Sequence, residues 1–235
     1  KGYRMDEIPL DDLEIHPEQF DKAIALIRGV LRAFRDRGYK LSGFNAYTES
    51  NVMKGSGLSS SAAFEVLIGT IVSDLFANNE VDAVEIAKIG QFAENVFYNK
   101  PSGLMDQMAS SVGAVVAIDF RSTETPVVKK VDFDLNKYDH SLCIIDSGAD
   151  HAELTNEYAA VPAEMKAVAG YFGKEYLREV DYTEFLHEMK NIREKIKNDR
   201  AVLRAFHYFH DTSLAVKEAE ALEAGDFEKF CALSR

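Results

Sequence analysis

Three serines stand in a row at Ser59-Ser60-Ser61, preceded by Gly55-Ser56-Gly57-Leu58 and followed by Ala62-Ala63 and the apolar segment Phe64 to Phe76. A glycine-and-serine loop that feeds a helix offers an anion several unpaired backbone N–H groups and the positive end of the helix dipole, with hydroxyls beside them. That is a cradle for a phosphate. Small residues let the backbone approach a polyphosphate closely, and a serine hydroxyl at a helix start is the kind of oxygen ligand that magnesium takes. Taken alone, G-x-G is a weak signal. The Walker pattern is absent, because no lysine follows the last glycine at the required place, and the third glycine of the dinucleotide fingerprint is missing.

Asp106 is the second candidate. An aspartate in a first helical turn ordinarily complements the dipole, but Gly103-Leu104-Met105-Asp106-Gln107-Met108 surrounds this one with apolar residues. The pattern suggests a carboxylate held at the edge of a core, able to accept a proton from a hydroxyl. Glu94, on an earlier predicted helix, reads by composition as a surface glutamate. His207 and His210 lie three apart on another predicted helix, without the third ligand a metal site needs. The charged run Lys190 to Arg200 reads as a solvated helix face, and His151 as part of a polar loop.

The elements that must position these residues follow from periodicity. Residues 1 to 15 read as extended, and Pro17 then starts a helix with Phe20, Ile24, Ile27, Leu31 and Phe34 at helical spacing until Gly38 stops it. Gly43 to Val52 reads as a strand leading to the serine loop. The helix behind the loop, with Phe64, Leu67, Ile68, Ile71, Val72 and Leu75, is apolar nearly all round and is expected to be buried. Asp82 reads as the N-cap of a helix Ala83 to Phe97, and Leu104 to Val112 as a short helix with Asp106 in its first turn. Ala114 to Asp119, Val127 to Phe133 and Ser141 to Asp146 are strand-like. From Ala152 the pattern turns helical: Ala152 to Phe172 with an interruption at Pro162, Thr183 to Lys197, and Asp199 to Ala224 closed by Gly225. A change of domain is expected near residue 140.

Bulk properties narrow the partners. The 235 residues are 46% hydrophobic and 28% charged, which is globular composition, and the formal net charge of -12 argues against nucleic acid or an anionic membrane as the main partner. The longest apolar run, Ala114 to Ile118, is far below the roughly twenty residues that span a bilayer. Cys143 and Cys231 each stand alone in an apolar setting and read as buried thiols in a reducing cytoplasm.

Together, Gly55 to Ala63 and Pro101-Ser102-Gly103-Leu104-Met105-Asp106-Gln107 resemble the GHMP kinase superfamily, and galactokinases in particular. The first stretch is similar to the second signature of that superfamily. Weaker matches run through Asp146-Ser147-Gly148, His151 and Tyr158 to Leu222-Glu223-Ala224-Gly225-Asp226-Phe227. The resemblance implies a two-domain α+β fold: a mixed-sheet, ATP-binding N-terminal domain over residues 1–140 and a ferredoxin-like C-terminal domain over 141–235, both incomplete. It implies ATP-dependent phosphorylation of galactose or a related sugar at the anomeric hydroxyl. Ser59, Ser60 and the backbone from Gly55 through Ser56, Gly57 and Leu58 to Ser61 would then hold ATP, with Ser61 and Glu94 as magnesium ligands. Asp106 would lie against the anomeric hydroxyl, and Gly103 and Tyr158 would belong to the sugar pocket.

Some positions depart from the family pattern. Met53 stands where proline is usual, Tyr98-Asn99-Lys100 replaces a valine-glycine-hydrophobic run, and Val161-Pro162 takes the place of a frequent arginine pair. The family's first and third signatures are not found, so the chain is expected to be the middle of a longer protein whose active site it does not complete. Two alternatives stay open: a non-catalytic sugar and nucleotide sensor on the same fold, and a kinase of this superfamily acting on another small alcohol.

Overall fold

The computed structural model describes residues 5–52, 57–122, 124–145 and 155–235. Helix α1 (Ala23–Asp36) buries Leu26, Val30, Leu31, Ala33 and Phe34 along one face. Its start lies later than Pro17. Pro17–Gln19 make only a 3-10 turn, Asp21 takes a left-handed φ of 61° that breaks the helical path, and Lys22 flanks the true first turn. The far end is as expected, with Gly38 at φ +88°, a conformation that glycine adopts without strain.

Helix α2 (Ser60–Phe76) packs Ala62, Val66, Ile68 and Val72 against α1, α3 and α4. Its opposite side is not buried: Leu67 is 39% and Leu75 50% exposed, so the apolar circumference did not translate into burial all round. Helix α3 (Ala83–Phe92) is capped by Asp82, whose carboxylate accepts the Glu85 N–H at 2.8 Å. The expected helix to Phe97 changes character at its end, where Ala93–Phe97 form a π turn. Helix α4 (Met105–Val112) follows. Leu13, Val30, Phe34, Ile68, Val72, Ile89 and Ala93 share the core between these helices. Residues 43–51 run without a ladder; a strand needs a partner for its N–H and C=O groups, and no described segment pairs with this one.

The chain divides into two compact units, 1–116 and 117–235, with the division falling inside strand β1 (Val115–Asp119). β1 and β2 (Val127–Val131) form a two-stranded sheet. β2 ends before Phe133, and residues 141–145, expected as a strand, carry no ladder; Leu142 and Ile145 are exposed there.

Helix α5 (Thr155–Tyr171) runs straight through Pro162, so the expected interruption is absent and the proline simply lacks one N–H in the helical ladder. Helices α6 (Tyr182–Ile196) and α7 (Asp199–Glu223) are capped by Asp181 and Asn198, and Gly225 at φ +70° ends α7 as expected. A short helix α8 (Phe227–Leu233), not anticipated in the sequence, follows. Val168, Ala169, Leu177, Phe185, Ile192, Val202 and Ala205 form this unit's core.

The two cysteines are unpaired, and neither is fully buried: Cys143 is exposed and Cys231 intermediate, because the segment of Cys143 has no sheet to cover it. His207 and His210 are exposed on α7, and no cluster of three metal-ligating side chains occurs among the described residues. Among those residues no helix is long and apolar enough to cross a membrane.

Candidate active site

The start of α2 is built on two left-handed residues, Gly57 at φ 73° and Ser59 at φ 54°. A serine in that conformation costs about 1–2 kcal/mol. Ser59 is the N-cap by position, yet its side chain makes no capping bond. Its hydroxyl points across to α4 and donates to Asp106 Oδ2 at 2.7 Å. The first-turn N–H groups of α2 are thus left without the usual serine cap, which is the condition for an anion to take their place. Leu58 is exposed beside them, Ser60 and Ser61 are half-buried, and Gly55 and Ser56 lie outside the described residues.

Ser61 points the other way and donates to Glu94 Oε1 at 2.8 Å. Glu94 is 2% exposed, so the surface reading of this residue is overturned. The cause is the π turn: widening the helix at Ala93–Phe97 re-aims the side chain into the space between α2 and α4. Lys100 Nζ donates to the same Oε1 at 2.8 Å. Burial works to raise the Glu94 pKa, but the interactions with Lys100, Ser102 and Ser61 outweigh it and hold the carboxyl below its usual range, as an anion. Burial likewise works against the Lys100 charge, and Glu94 overcomes it, so the lysine is raised and remains a cation.

Lys100 owes its place to a tied loop. Its N–H donates to the Glu94 carbonyl at 3.1 Å, and the Ser102 N–H donates to Asn95 Oδ1 at 2.7 Å. Gln91 Nε2 and Asn95 Nδ2 both donate to the Ser102 carbonyl. The loop delivers Gly103 in an open, exposed position and Asp106 in the first turn of α4. Asp106 is itself exposed while Leu104, Gln107 and Met108 around it are buried, so the carboxylate lies on the solvent side of the core edge.

Beneath this layer lies a polar pair that sequence reasoning missed. Gln107 and Glu65 are both 0% exposed. Gln107 Nε2 donates to Glu65 Oε2 at 3.0 Å and to Glu94 Oε2 at 2.7 Å. Burial first, and the Glu94 charge second, push the Glu65 carboxyl up to about 8, which leaves it neutral at pH 7. The available signal for it was an acid directly after Phe64, at the start of the apolar run Val66 to Ile68.

Of the residues singled out in the sequence, the structure therefore pairs Ser59 with Asp106 and Ser61 with Glu94, in two hydrogen bonds that start from the same end of α2. Tyr158 is exposed on α5 in the second unit. Asp146, Ser147, Gly148 and His151 lie outside the described residues.

An ionised carboxylate and a hydroxyl in contact form a hard-oxygen donor pair of the type magnesium accepts, and magnesium usually needs only one or two carboxylates beside phosphate oxygens. Ser61 and Glu94 fit that ion. The exposed Asp106 can accept a proton from a hydroxyl brought to it, at the mouth of an uncapped helix start. Phosphoryl transfer requires this combination of anion cradle, cation ligands and acceptor carboxylate.

Residues 25–114 match the model of the GHMP kinases N terminal domain. The chain is 33% identical over 220 residues to a galactokinase of Glaesserella parasuis serovar 5, covering 91% of this chain and 54% of the relative. It is 33% identical over 211 residues to a galactokinase of Thermotoga petrophila, covering 90% of this chain and 57% of the relative. Among solved structures it is similar to the crystal structure of Lactococcus lactis galactokinase complexed with galactose, with a TM-score of 0.73 and 24% identity over 96% of this chain and 57% of that one. That likeness shows a shared α+β fold. The chain spans about half the length of the curated relatives it matches. The domain match lies over the serine loop, Glu94 and Asp106, so this stretch of the chain is similar to the GHMP kinases N terminal domain, and the relatives that match along the chain are galactokinases.

Proposed function

We propose that this chain supplies the nucleotide and acceptor-acid side of an ATP-dependent sugar kinase, which phosphorylates galactose or a related sugar at the anomeric hydroxyl. The observation that carries the reading is the pair of hydrogen bonds fanning out from the start of α2, Ser59 to Asp106 and Ser61 to Glu94. One turn of helix thereby joins the phosphate cradle to both acids.

In this reading the backbone from Gly55 to Ser61 and the hydroxyls of Ser59 and Ser60 hold the ATP phosphates, and Ser61 and Glu94 would hold magnesium. Bound there, magnesium would neutralise charge on the phosphate oxygens. Asp106 orients the anomeric hydroxyl and takes its proton as the new O–P bond forms, while the bond to the ADP oxygen breaks and ADP leaves with the electron pair. Gly103 leaves open space beside Asp106 for the sugar, and Tyr158 is assigned to the same pocket on the resemblance alone. The assignment of residues 1–140 to the ATP-binding domain and 141–235 to a ferredoxin-like domain belongs to the same proposal, as does a cytoplasmic location, where ATP is abundant and unpaired thiols are stable.

The experiment is ADP release by the whole protein with galactose, other sugars, mevalonate and homoserine, followed by phosphorus NMR of the product. The expected outcome is galactose-dependent turnover yielding a sugar 1-phosphate. Binding of both ligands with no turnover, or phosphate on a different hydroxyl, would contradict it.

A further inference from the structure

The Glu94 carboxylate is held from two sides. Ser61 and Lys100 take Oε1, and Gln107 takes Oε2 from within the core. An amide nitrogen has two hydrogens, and Gln107 commits both to buried carboxyl oxygens, one on α2 and one on the π turn. Turning the amide over would set its carbonyl oxygen against the Glu94 anion, so the orientation is fixed by chemistry. We propose that Gln107 is a positioning residue, anchored by Glu65, that fixes the plane of the Glu94 carboxylate and so presents Oε1 beside Ser61 for a divalent cation. This rests on the reading of Glu94 and Ser61 as magnesium ligands.

Three features of the structure support it. Glu65 lies on α2 four residues beyond Ser61, so one helix sets both the hydroxyl and the anchor. Gly90 on α3 leaves the room the pair needs: a Cβ there would stand 3.2 Å from Gln107 Cγ and 3.2 Å from Glu65 Cβ. Gln107 also follows Asp106 directly on α4 but is buried where Asp106 is exposed, so the amide faces the cation ligand and the acceptor acid faces solvent. The raised Glu65 pKa agrees with the arrangement, since a neutral carboxyl can anchor Gln107 without adding a second buried charge beside Glu94.

The test uses Mn2+ with ADP as the probe on the whole protein. Mn2+ affinity is read by electron paramagnetic resonance, galactose affinity by calorimetry and folding by thermal melting. Gln107→Met is expected to weaken Mn2+ about 10- to 100-fold, the usual effect of removing a partner that orients a metal ligand, with galactose affinity unchanged within about twofold. Unchanged Mn2+ affinity, or Mn2+ and galactose affinities falling together, overturns the role. Should Gln107→Met not fold, Glu65→Gln, whose carbonyl can accept the same N–H, is expected to keep Mn2+ affinity, and Glu65→Leu to lose it severalfold. Equal affinity in those two variants overturns it as well. Wild-type protein that phosphorylates galactose while the Gln107 variant binds Mn2+ normally sinks the positioning role alone; wild-type protein that binds no Mn2+ sinks the ligand reading too.

Discussion

Glu65 gives the unit a measurable pH dependence. Its folded pKa, about 8, lies above the ordinary 4.5 of an unfolded glutamate. Between those values the unfolded chain has released the proton and the folded one has kept it, so this group's contribution to stability is present in full below pH 4.5 and is lost as pH rises toward 8. The loss over that window is on the order of 5 kcal/mol, taking about 1.4 kcal/mol per pH unit. Glu65→Gln, which cannot ionise, is expected to flatten this slope and to gain stability relative to wild type from pH 5 to pH 8, as read by urea unfolding at both. Parallel losses in the two proteins would show that Glu65 titrates normally. Residues also show where sequence stops being legible. The serine loop and Asp106 announce themselves through local composition. The burial of Glu94 does not, because it depends on the π turn that contains it and on side chains of α2 and α4, and neither does Gln107, whose partners lie 42 and 13 positions distant in the chain.

At the scale of elements, the π turn is held by a close approach. A Cβ on Gly29 of α1 would meet Ala93 Cβ at 2.7 Å and Ala93 Cα at 2.8 Å, so the two helices touch where only hydrogen fits. Gly29→Ala gains about 1 kcal/mol of helix propensity. Against that, crowding into a filled contact costs about 1–3 kcal/mol. Separation of α1 from the turn is expected to dominate, lowering the urea midpoint and weakening Mn2+ binding at Glu94 together. A more stable variant with wild-type Mn2+ affinity would mean that the turn is set elsewhere. Helices with clear local signals, such as α3 after Asp82 and α7 ended by Gly225, were legible for that reason, whereas the Asp181 cap that starts α6 at Tyr182 was not singled out. The failures are those in which a partner decides. Residues 43–51 read as a strand but find no ladder among the described residues, α2 is apolar all round but packs on one side, and α5 absorbs Pro162 within a long helix.

At the scale of the molecule, two units with separate cores are joined inside β1, and the first of them alone carries the serine loop, Glu94 and Asp106. The likeness to GHMP kinases was legible because the motifs that carry it are contiguous and sit at helix starts, where chemistry dictates residue type. The sugar side was not, since Tyr158 belongs to the second unit and the Asp146 to His151 stretch lies outside the described residues. In the proposed reaction Asp106 receives the proton of the sugar hydroxyl while the loop at α2 holds the phosphates. The most direct measurement is galactose-dependent ADP release by the whole protein and by its Asp106→Asn variant, with nucleotide affinity measured in parallel. Loss of a positioned base is expected to lower kcat about 10²- to 10⁴-fold while ADP binds as in wild type. Turnover unchanged in Asp106→Asn would remove Asp106 from the proton transfer.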